Sequence, residues 1–329
     1  MRASQQSDGK AVAPQGFAAA MRRHEWPTIC LFIVTAGLWL WATSGLYTLS
    51  PLAGIVLTGL AITQFSSLQH EALHGHPFAN RVWNEVLATP ALTLTVPYRR
   101  FRDTHLAHHH DPVLTDPYDD PESNYLDPEV WARLPVAVQI LLRWNNTMLG
   151  RITIGPILGN ALWLRNEARL FAAGEQGVRG AWALHLLGLG PVVLWLWASS
   201  MPFWAYLLAV WVGHGLLKIR TFLEHRAHEA ARARTVIIED RGLFSLLFLN
   251  NNFHAVHHCQ PGVAWYRLPG VYLRDKARFL ARNEGYAYRS YAQVFRLYAL
   301  RAKDPVPHPL WPAPEALRSS DPAKDRVRA

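Results

Sequence analysis

Histidine is the residue type in this sequence with the clearest capacity for chemistry. The chain has 16 histidines among 329 residues, and eight of them form three short clusters. The clusters are His70-Glu-Ala-Leu-His74, His105-Leu-Ala-His108-His109 and His254-Ala-Val-His257-His258. Residues three and four apart lie on one face of an α-helix, so each cluster can direct its imidazoles to a common point. Neutral imidazole binds iron, copper, zinc and nickel, and eight ring nitrogens are too many for one ion. The pattern therefore predicts a centre of two metal ions.

Two uncharged tracts are the elements that must position these histidines. No Asp, Glu, Lys or Arg occurs from Thr28 to Gln69 or from Ala181 to Leu217. A membrane-spanning helix needs about 20 apolar residues, so each tract is long enough for two crossings. We expect an all-α integral membrane protein with four transmembrane helices, arranged as two hairpins. The expected spans are residues 29–48, 51–69, 181–199 and 202–218.

The turns of both hairpins lack charge, which predicts the orientation of the protein. Ser44, Gly45 and Ser50 favour a turn in the first hairpin, and residues 199–202 favour one in the second. Basic residues lie on the opposite side, at Arg22, Arg23, Arg99, Arg100, Arg102, Lys218, Arg220 and Arg226. By the positive-inside rule, both termini and all three histidine clusters are expected on the cytoplasmic side. There the clusters are expected to lie in a helical cap. A soluble four-helix core would need polar faces at helical spacing, which these tracts lack.

The remaining segments suggest how the chain is divided. We expect a cytoplasmic segment at 1–27, a membrane domain at 28–302 and a disordered tail rich in Pro and Ala at 303–329. Two shorter apolar stretches, Val86 to Val96 and Ile152 to Leu164, are candidates for helices on the membrane surface. The first span is expected to stay in the mature protein, because the segment before it is too long and polar for a signal peptide.

Composition argues against a nucleic-acid partner and against a disulfide. The formal net charge is +9, but the basic residues are spread through segments beside the spans and the tail. Contact with anionic lipid headgroups explains them better than nucleic acid, so no nucleic-acid partner is expected. Cys30 and Cys259 are the two cysteines of the chain, one in an expected span and one outside, so no disulfide is predicted.

The ordered trio of histidine clusters, attached to two hydrophobic hairpins, resembles the membrane fatty acid desaturase family, which also includes hydroxylases and ketolases. The similarity runs from about Ile29 to Pro269 and includes Asn250, Asn251 and Asn252 before the third cluster. It implies a non-haem centre of two iron ions at the cytoplasmic membrane surface, which activates O₂ with electrons from a separate carrier. The iron ligands that it implies are His70, His74, His105, His108, His109, His254, His257 and His258.

The resemblance also implies one more histidine ligand, from the cytoplasmic end of the fourth span. The candidates are His214, His225 and His228. His214 is expected inside the membrane and His228 in solvent. We therefore predict His225, on a helical continuation past Lys218, with Glu224 holding a ligand imidazole in place.

Other polar residues beside the clusters have open roles. Glu71 either orients a ligand imidazole or is a charge at the membrane interface. His76 and His110 are either hydrogen-bond partners of ligands or solvated, and solvation is the favoured interpretation. The acidic run from Asp111 to Glu122 could bind a cation or a headgroup, but acidic segments interrupted by Pro are usually solvated loops.

The predicted reaction is oxidation of the hydrocarbon part of a lipid. Attack on an unactivated methylene exceeds what side chains can do, so the metal centre must supply it. Acyl-chain desaturation is the leading hypothesis. Hydroxylation or ketolation of a lipid, a carotenoid or a hydrocarbon stays open, because these reactions begin with the same C–H cleavage. A terminal alkane hydroxylase ranks lower, since the stretch Arg220 to Arg226 keeps only the Glu-His of the motif in that group.

A second class, a histidine-rich metal transporter, would place histidines or acids along a path within the spans. His185 and His214 are the intramembrane candidates, while the clusters lie outside, which disfavours transport. For the enzyme, the electron donor must be a separate protein, such as an acidic ferredoxin-like carrier. The basic residues that could receive it are Arg99, Arg100, Arg102, Arg226 and Arg267.

Overall fold

The computed structural model of the chain describes residues 25–109 and 111–311, which are mostly helical. The predictions for residues 1–24, for His110 and for the tail from residue 312 lie outside the described residues.

The helices before the second expected hairpin are α1 Trp26–Trp41, α2 Pro51–Leu73, α3 Arg81–Ala88, α4 Tyr98–His108, α5 Pro128–Arg133, α6 Val136–Asn145, α7 Met148–Thr153 and α8 Gly155–Ala173. Those that follow are α9 Val178–Ala198, α10 Phe203–Thr221, α11 Leu243–Leu247, α12 His254–Cys259, α13 Leu268–Arg274, α14 Lys276–Arg282 and α15 Tyr291–Tyr298. Two short parallel strands, β1 Ile237–Ile238 and β2 Ala287–Tyr288, pair with each other.

Helix α1 continues through Ser44 and Gly45, two residues that favour a turn. A π-helical stretch, Ala42–Leu46, and a last helical turn, Tyr47–Leu49, carry it on to Ser50. The Ser44 hydroxyl donates to the Leu40 carbonyl at 2.6 Å, so it bonds back to the helix and does not turn the chain. The break falls at Ser50, whose backbone is extended, and Pro51 then begins α2. The prediction that Ser44 and Gly45 form the turn was therefore wrong.

Three helical segments of the described chain are long and apolar enough to cross a membrane. They are Trp26–Leu49, Pro51–Leu73 and Val178–Ala198, which correspond to the first three expected spans. Helix α10 covers the fourth expected span, 202–218, but it is not among these segments of the described chain. Its last turn carries Lys218 and Arg220, which lowers its hydropathy. Four crossings therefore stay a prediction.

Helices α2 and α10 pack closely because glycines meet at their interface. A Cβ added at Gly213 would lie 3.0 Å from the carbonyl oxygen of Gly59 and 2.9 Å from Ile62. A Cβ at Gly59 would lie 2.7 Å from Val212. Small residues of this kind allow backbones to approach closely, and the Thr63 hydroxyl adds a bond of 3.1 Å to the Gly213 carbonyl. The contact sets the position of α10 against the helix that carries His70.

The stretch Val86 to Val96 does not form the surface helix that we predicted. Helix α3 ends at Ala88, and the chain then runs irregularly to Pro97 between α9 and α10. The Leu92 carbonyl accepts a hydrogen bond from Tyr206 of α10 at 2.8 Å, and the Ala91 amide donates to the Gly188 carbonyl of α9 at 3.2 Å. Polar backbone groups inside a helix bundle need such partners, which is why this segment is fixed there.

The first part of the expected tail is packed against the folded chain. The Lys303 amide donates to the Asn146 carbonyl at 3.1 Å, and Leu126 and Val306 are joined by a backbone bond of 2.9 Å. Val306 and His308 are buried. Composition predicts disorder from residue 303, but these long-range backbone pairs hold the chain as far as Trp311.

Candidate metal centre

All nine histidines predicted as ligands converge in two groups. The five-histidine cluster contains His70, His74, His105, His109 and His257. The four-histidine cluster contains His108, His225, His254 and His258. Within each group, one ring nitrogen per histidine lies within 4.8 Å of all the others.

The helices divide each His-x-x-His-His motif between the two clusters. Successive residues of an α-helix point about 100° apart, so adjacent histidines diverge, while residues four apart differ by only about 40°. The pair His105 and His109 therefore joins one cluster, and the pair His254 and His258 joins the other. The middle histidine of each motif, His108 or His257, belongs to the opposite cluster. The sequence predicted the convergence, but not this exchange.

The short helix α12 is held in place by backbone bonds to β1. The Ala255 amide donates to the Val236 carbonyl at 3.0 Å, and the Ile238 amide donates to the Asn252 carbonyl at 2.8 Å. Phe253 and Val256 are buried in the core beside this strand. These contacts explain how a six-residue helix can direct imidazoles to both clusters.

His225 reaches the four-histidine cluster from a non-helical segment. Helix α10 continues past Lys218 but ends at Thr221, so the expectation that it extends as far as His225 was wrong. Nε2 of His225 lies 2.8 Å from Nε2 of His108 and 3.0 Å from Nε2 of His254.

The other two candidates for the ninth position lie elsewhere. His214 bonds the Asn160 amide at 2.7 Å, and His228 lies 3.4 Å from the Glu284 carboxylate. The structure therefore brings only His225 of the three into a cluster.

Two acids from the supposed solvated loop contact ligand candidates directly. The Asp120 carboxylate lies 2.7 Å from Nδ1 of His108, and the Glu122 carboxylate lies 3.0 Å from Nδ1 of His105. Asp120 is only 4% exposed and also accepts the Thr115 amide at 2.8 Å. The expectation of a solvated loop was wrong for these two residues. A ligand imidazole needs an acceptor for its second nitrogen, and that requirement is the signal that could have identified them.

Two glutamates have partners that differ from those expected. Glu224 does not hold His225; it accepts from the Asn251 amide at 2.8 Å, and Asn251 bonds Nδ1 of His254 at 3.2 Å. Burial raises the pKa of Glu224, against the effect of nearby Arg220. Glu71 is buried and accepts the Trp265 amide at 3.2 Å, so it is not an interfacial charge.

His76, for which solvation was the favoured interpretation, is also buried. Its Nδ1 lies 2.8 Å from the Glu25 carboxylate. The solvated interpretation of His76 was therefore wrong.

The ring nitrogens suit a bound cation. A neutral imidazole has one N–H, and in His108 the carboxylate of Asp120 accepts it from Nδ1, which leaves a lone pair on Nε2. That lone pair faces the ring nitrogen of His225 at 2.8 Å, an unfavourable approach unless a proton or metal ion lies between them. Nε2 of His70, His74 and His257 is buried and has no hydrogen-bond partner among the described residues. Buried polar atoms rarely lack partners, so these donor atoms fit a metal site.

His108 differs in its protonation state from His74, His225, His254 and His257. Burial and the neighbouring His105 lower the pKa of His74 to about 2, so its imidazole is neutral and can bind a metal. Burial also holds the pKa of His225, His254 and His257 well below the ordinary value. Burial acts in the same direction on His108, but the carboxylates of Glu122 and Asp120 outweigh it and raise its pKa to about 9. A metal ion at His108 would take the place of a proton.

Comparison with known proteins places this centre in a family. No curated protein matches the chain. The family model described as fatty acid desaturase matches residues 47–292, a range that includes all nine histidines of the two clusters. Because the match covers well over half of the chain, the protein belongs to the fatty acid desaturase family.

Proposed function

We propose that the protein is a membrane-bound, O₂-dependent enzyme that desaturates the acyl chain of a lipid at two iron ions. The observation that carries the proposal is the convergence of nine histidines into two adjacent clusters within the family match. Overall, desaturation removes two hydrogens from neighbouring carbons and reduces O₂ to two waters, with two electrons and two protons from outside. The electrons come from a separate carrier.

The five-histidine cluster would hold one iron ion and the four-histidine cluster the other. Iron supplies the oxidising power, together with O₂, that protein side chains lack. The chain itself positions the imidazoles and keeps water away from them. His105, His108, His254 and His257 are each at most 3% exposed. Asp120 and Glu122 accept hydrogen bonds from the imidazoles and so fix their orientation.

Four crossings, with the clusters on the cytoplasmic side, are part of the proposal. Helix α10 exposes Phe203, Trp204, Leu207, Leu208 and Trp211, and these large apolar side chains favour contact with lipid. The basic residues beside the clusters favour the cytoplasmic side for them.

Labelling tests this topology in a variant without Cys30 and Cys259. A cysteine at Ser200 should react with an impermeant thiol reagent from outside the cell, and a cysteine at Glu229 only after permeabilisation. The reverse result would overturn the orientation.

The arginines expected to receive the electron carrier differ in how free their guanidinium groups are. Arg100 is paired with the buried carboxylate of Glu167 at 2.9 Å, and its side chain is only 14% exposed. Arg226 stacks on the Tyr286 ring, with its guanidinium carbon 4.4 Å from the ring centre. Arg99 pairs with Glu85, and Arg102 pairs with Asp103 at 2.8 Å. The exposed Arg267 is better placed to attract an acidic carrier such as a ferredoxin.

Transport of metal ions has little support in the spans. The two intramembrane histidines have neutral partners, since His185 bonds the Leu94 carbonyl at 3.0 Å and His214 bonds Asn160. These contacts tie each ring to a fixed polar group and do not form a path for ions.

Lipid analysis tests the reaction. The chain is expressed with a compatible reductase, total lipid is extracted, and the masses are compared with those from a His257→Ala control. Loss of two hydrogens, together with about two irons per purified chain, is the expected result. Gain of one oxygen would replace desaturation with hydroxylation, and an unchanged lipid profile with no bound iron would overturn the proposal.

A further inference from the structure

The segment from Lys303 to His308, named here the C-terminal strap, lies beyond the family match; it contacts His225 directly and is linked to His108 through Thr115 and Asp120. The match ends at residue 292. The strap is joined to the chain around Leu126 by backbone bonds from Leu126 to Val306 at 2.9 Å and from His308 to Leu126 at 2.8 Å. It is therefore a fixed part of the fold and not a free tail.

The first contact holds the backbone that directly follows the His225 side chain. The Lys303 ammonium donates to the backbone carbonyl of His225 and pairs with Asp304 at 3.3 Å. The Tyr125 hydroxyl donates to Asp304 at 2.5 Å and accepts the Ala227 amide at 2.9 Å. The Lys303 side chain is only 11% exposed, and a buried ammonium is tolerated where such partners surround it.

The second contact leads to His108. The Leu310 amide donates to Nδ1 of His308 at 3.1 Å, so the neutral ring carries its proton on Nε2 and donates to the Thr115 hydroxyl at 3.3 Å. The Thr115 amide in turn donates to one oxygen of Asp120 at 2.8 Å. The other oxygen of Asp120 bonds Nδ1 of His108. The two strap contacts thus end at two members of the same cluster, whose Nε2 atoms are 2.8 Å apart.

Such support matters because His225 has no helix of its own to position it. A metal ligand must be held within about 0.5 Å of its working position, by groups that are themselves fixed. We propose that the C-terminal strap positions the four-histidine cluster, with Lys303 and Asp304 as positioning residues for His225. This inference rests on the proposed metal centre.

Two truncations of the full chain test the strap by metal binding and without turnover. One ends the chain before Lys303, and the matched control ends it before Pro312, so that only the control keeps the strap. Each purified protein is titrated with Co²⁺, whose visible spectrum reports histidine ligation. The control should bind about two ions, whereas the shorter chain should bind the ion of the four-histidine cluster at least about tenfold more weakly. Equal binding of both ions by the two proteins would overturn the proposal.

A point variant keeps the test valid if the shorter chain does not fold. Lys303→Met removes only the ammonium, and Lys276→Met is the control, because Lys276 forms an ion pair with Glu239 on an exposed surface. Of the two variants, only Lys303→Met should bind the Co²⁺ of the four-histidine cluster about tenfold more weakly. The Co²⁺ of the five-histidine cluster should bind unchanged in both variants. Equal weakening of both ions would mean a general structural role and would refute the assignment. If the unaltered protein bound no pair of ions, the proposed metal centre itself would fail, and the strap proposal with it.

Discussion

The five-histidine and the four-histidine clusters are built in different ways from the same kind of side chain. All members of the five-histidine cluster lie on α2, α4 and α12 or directly at a helix end. The four-histidine cluster includes His225, which lies outside any helix and is held by a backbone bridge to Thr235, by Lys303 and, through Ala227, by Tyr125. Local helical geometry therefore places the first cluster, while the second depends on contacts between distant parts of the chain.

The two clusters also differ in the carboxylates that lie beside their imidazoles. The pKa of His74 is about 2 and that of His108 about 9, although both imidazoles are largely removed from water. The difference comes from Asp120 and Glu122, whose carboxylates lie beside His108. The presence of His108 and His105 also holds the pKa of Glu122 below its usual range, against the effect of burial. Within the four-histidine cluster, His108 is thus the side chain that these carboxylates favour in a positively charged environment, whether the charge is a proton or a metal ion.

The largest expected effect comes from replacing His225, the ligand candidate that no helix positions. His225→Ala should abolish metal binding at the four-histidine cluster and lower turnover by at least about 100-fold, because a vacant ligand position is left among buried imidazoles. The first cluster should still bind its ion. Bound iron and lipid oxidation are measured together.

His228→Ala is the matched control for that experiment. His228 lies three residues away and contacts Glu284, outside both clusters. It should keep activity within about twofold, as surface substitutions usually do. Loss of iron in the His228 variant alone would show that the ninth ligand has been assigned to the wrong histidine.

The sequence predicted those parts of the fold that follow from periodic patterns. The uncharged tracts indicated helices, and three of them are long and apolar enough to cross a membrane in the described chain. The spacing of His105 and His109 predicted that both would face one point. These inferences succeed because helix geometry depends on neighbouring residues alone.

The contacts that the sequence did not predict join residues far apart in the chain. Asp120 reaches His108 through a loop whose acidic composition alone favours solvation. The strap pairs with Leu126, although Pro and Ala in the tail favour disorder. Ser44 and Gly45 have turn chemistry, but the segment stays helical, and the Ser44 hydroxyl bonds back to the Leu40 carbonyl. Composition describes local preference, and tertiary packing overrides it at each of these sites.

An intermediate effect is expected from Asp120→Asn. The amide keeps the shape of the side chain but loses one of the two carboxylate charges that stabilise a cation at His108. Metal affinity at the four-histidine cluster should fall by about 10- to 100-fold, while the five-histidine cluster keeps its affinity. Co²⁺ titration followed in the visible region measures both sites.

Asp116→Asn is the control on the same acidic segment. Asp116 accepts backbone amides of Tyr118 and Asp119, and an asparagine oxygen can accept the same bonds. Metal binding by this variant should be unchanged. If Asp120→Asn weakened both clusters equally, the carboxylate would act on the fold as a whole and not on His108.

The smallest expected effect is a difference in pH dependence between the clusters. Because the pKa of His108 is raised to about 9, its imidazole is protonated at neutral pH, and a metal ion must displace that proton. Affinity at the four-histidine cluster should therefore fall by about tenfold per unit as the pH drops below 9, with one proton released per ion bound. His74 has a pKa of about 2 and is already neutral, so it adds no such dependence at the five-histidine cluster. Co²⁺ titrations between about pH 6.5 and 8.5 should show an affinity that changes with pH at the four-histidine cluster and an affinity that stays constant at the five-histidine cluster. In Asp120→Asn the slope should begin at a lower pH, since one of the two carboxylates that raise the His108 pKa is gone while Glu122 remains; equal slopes at both clusters in the unaltered protein would refute the contrast.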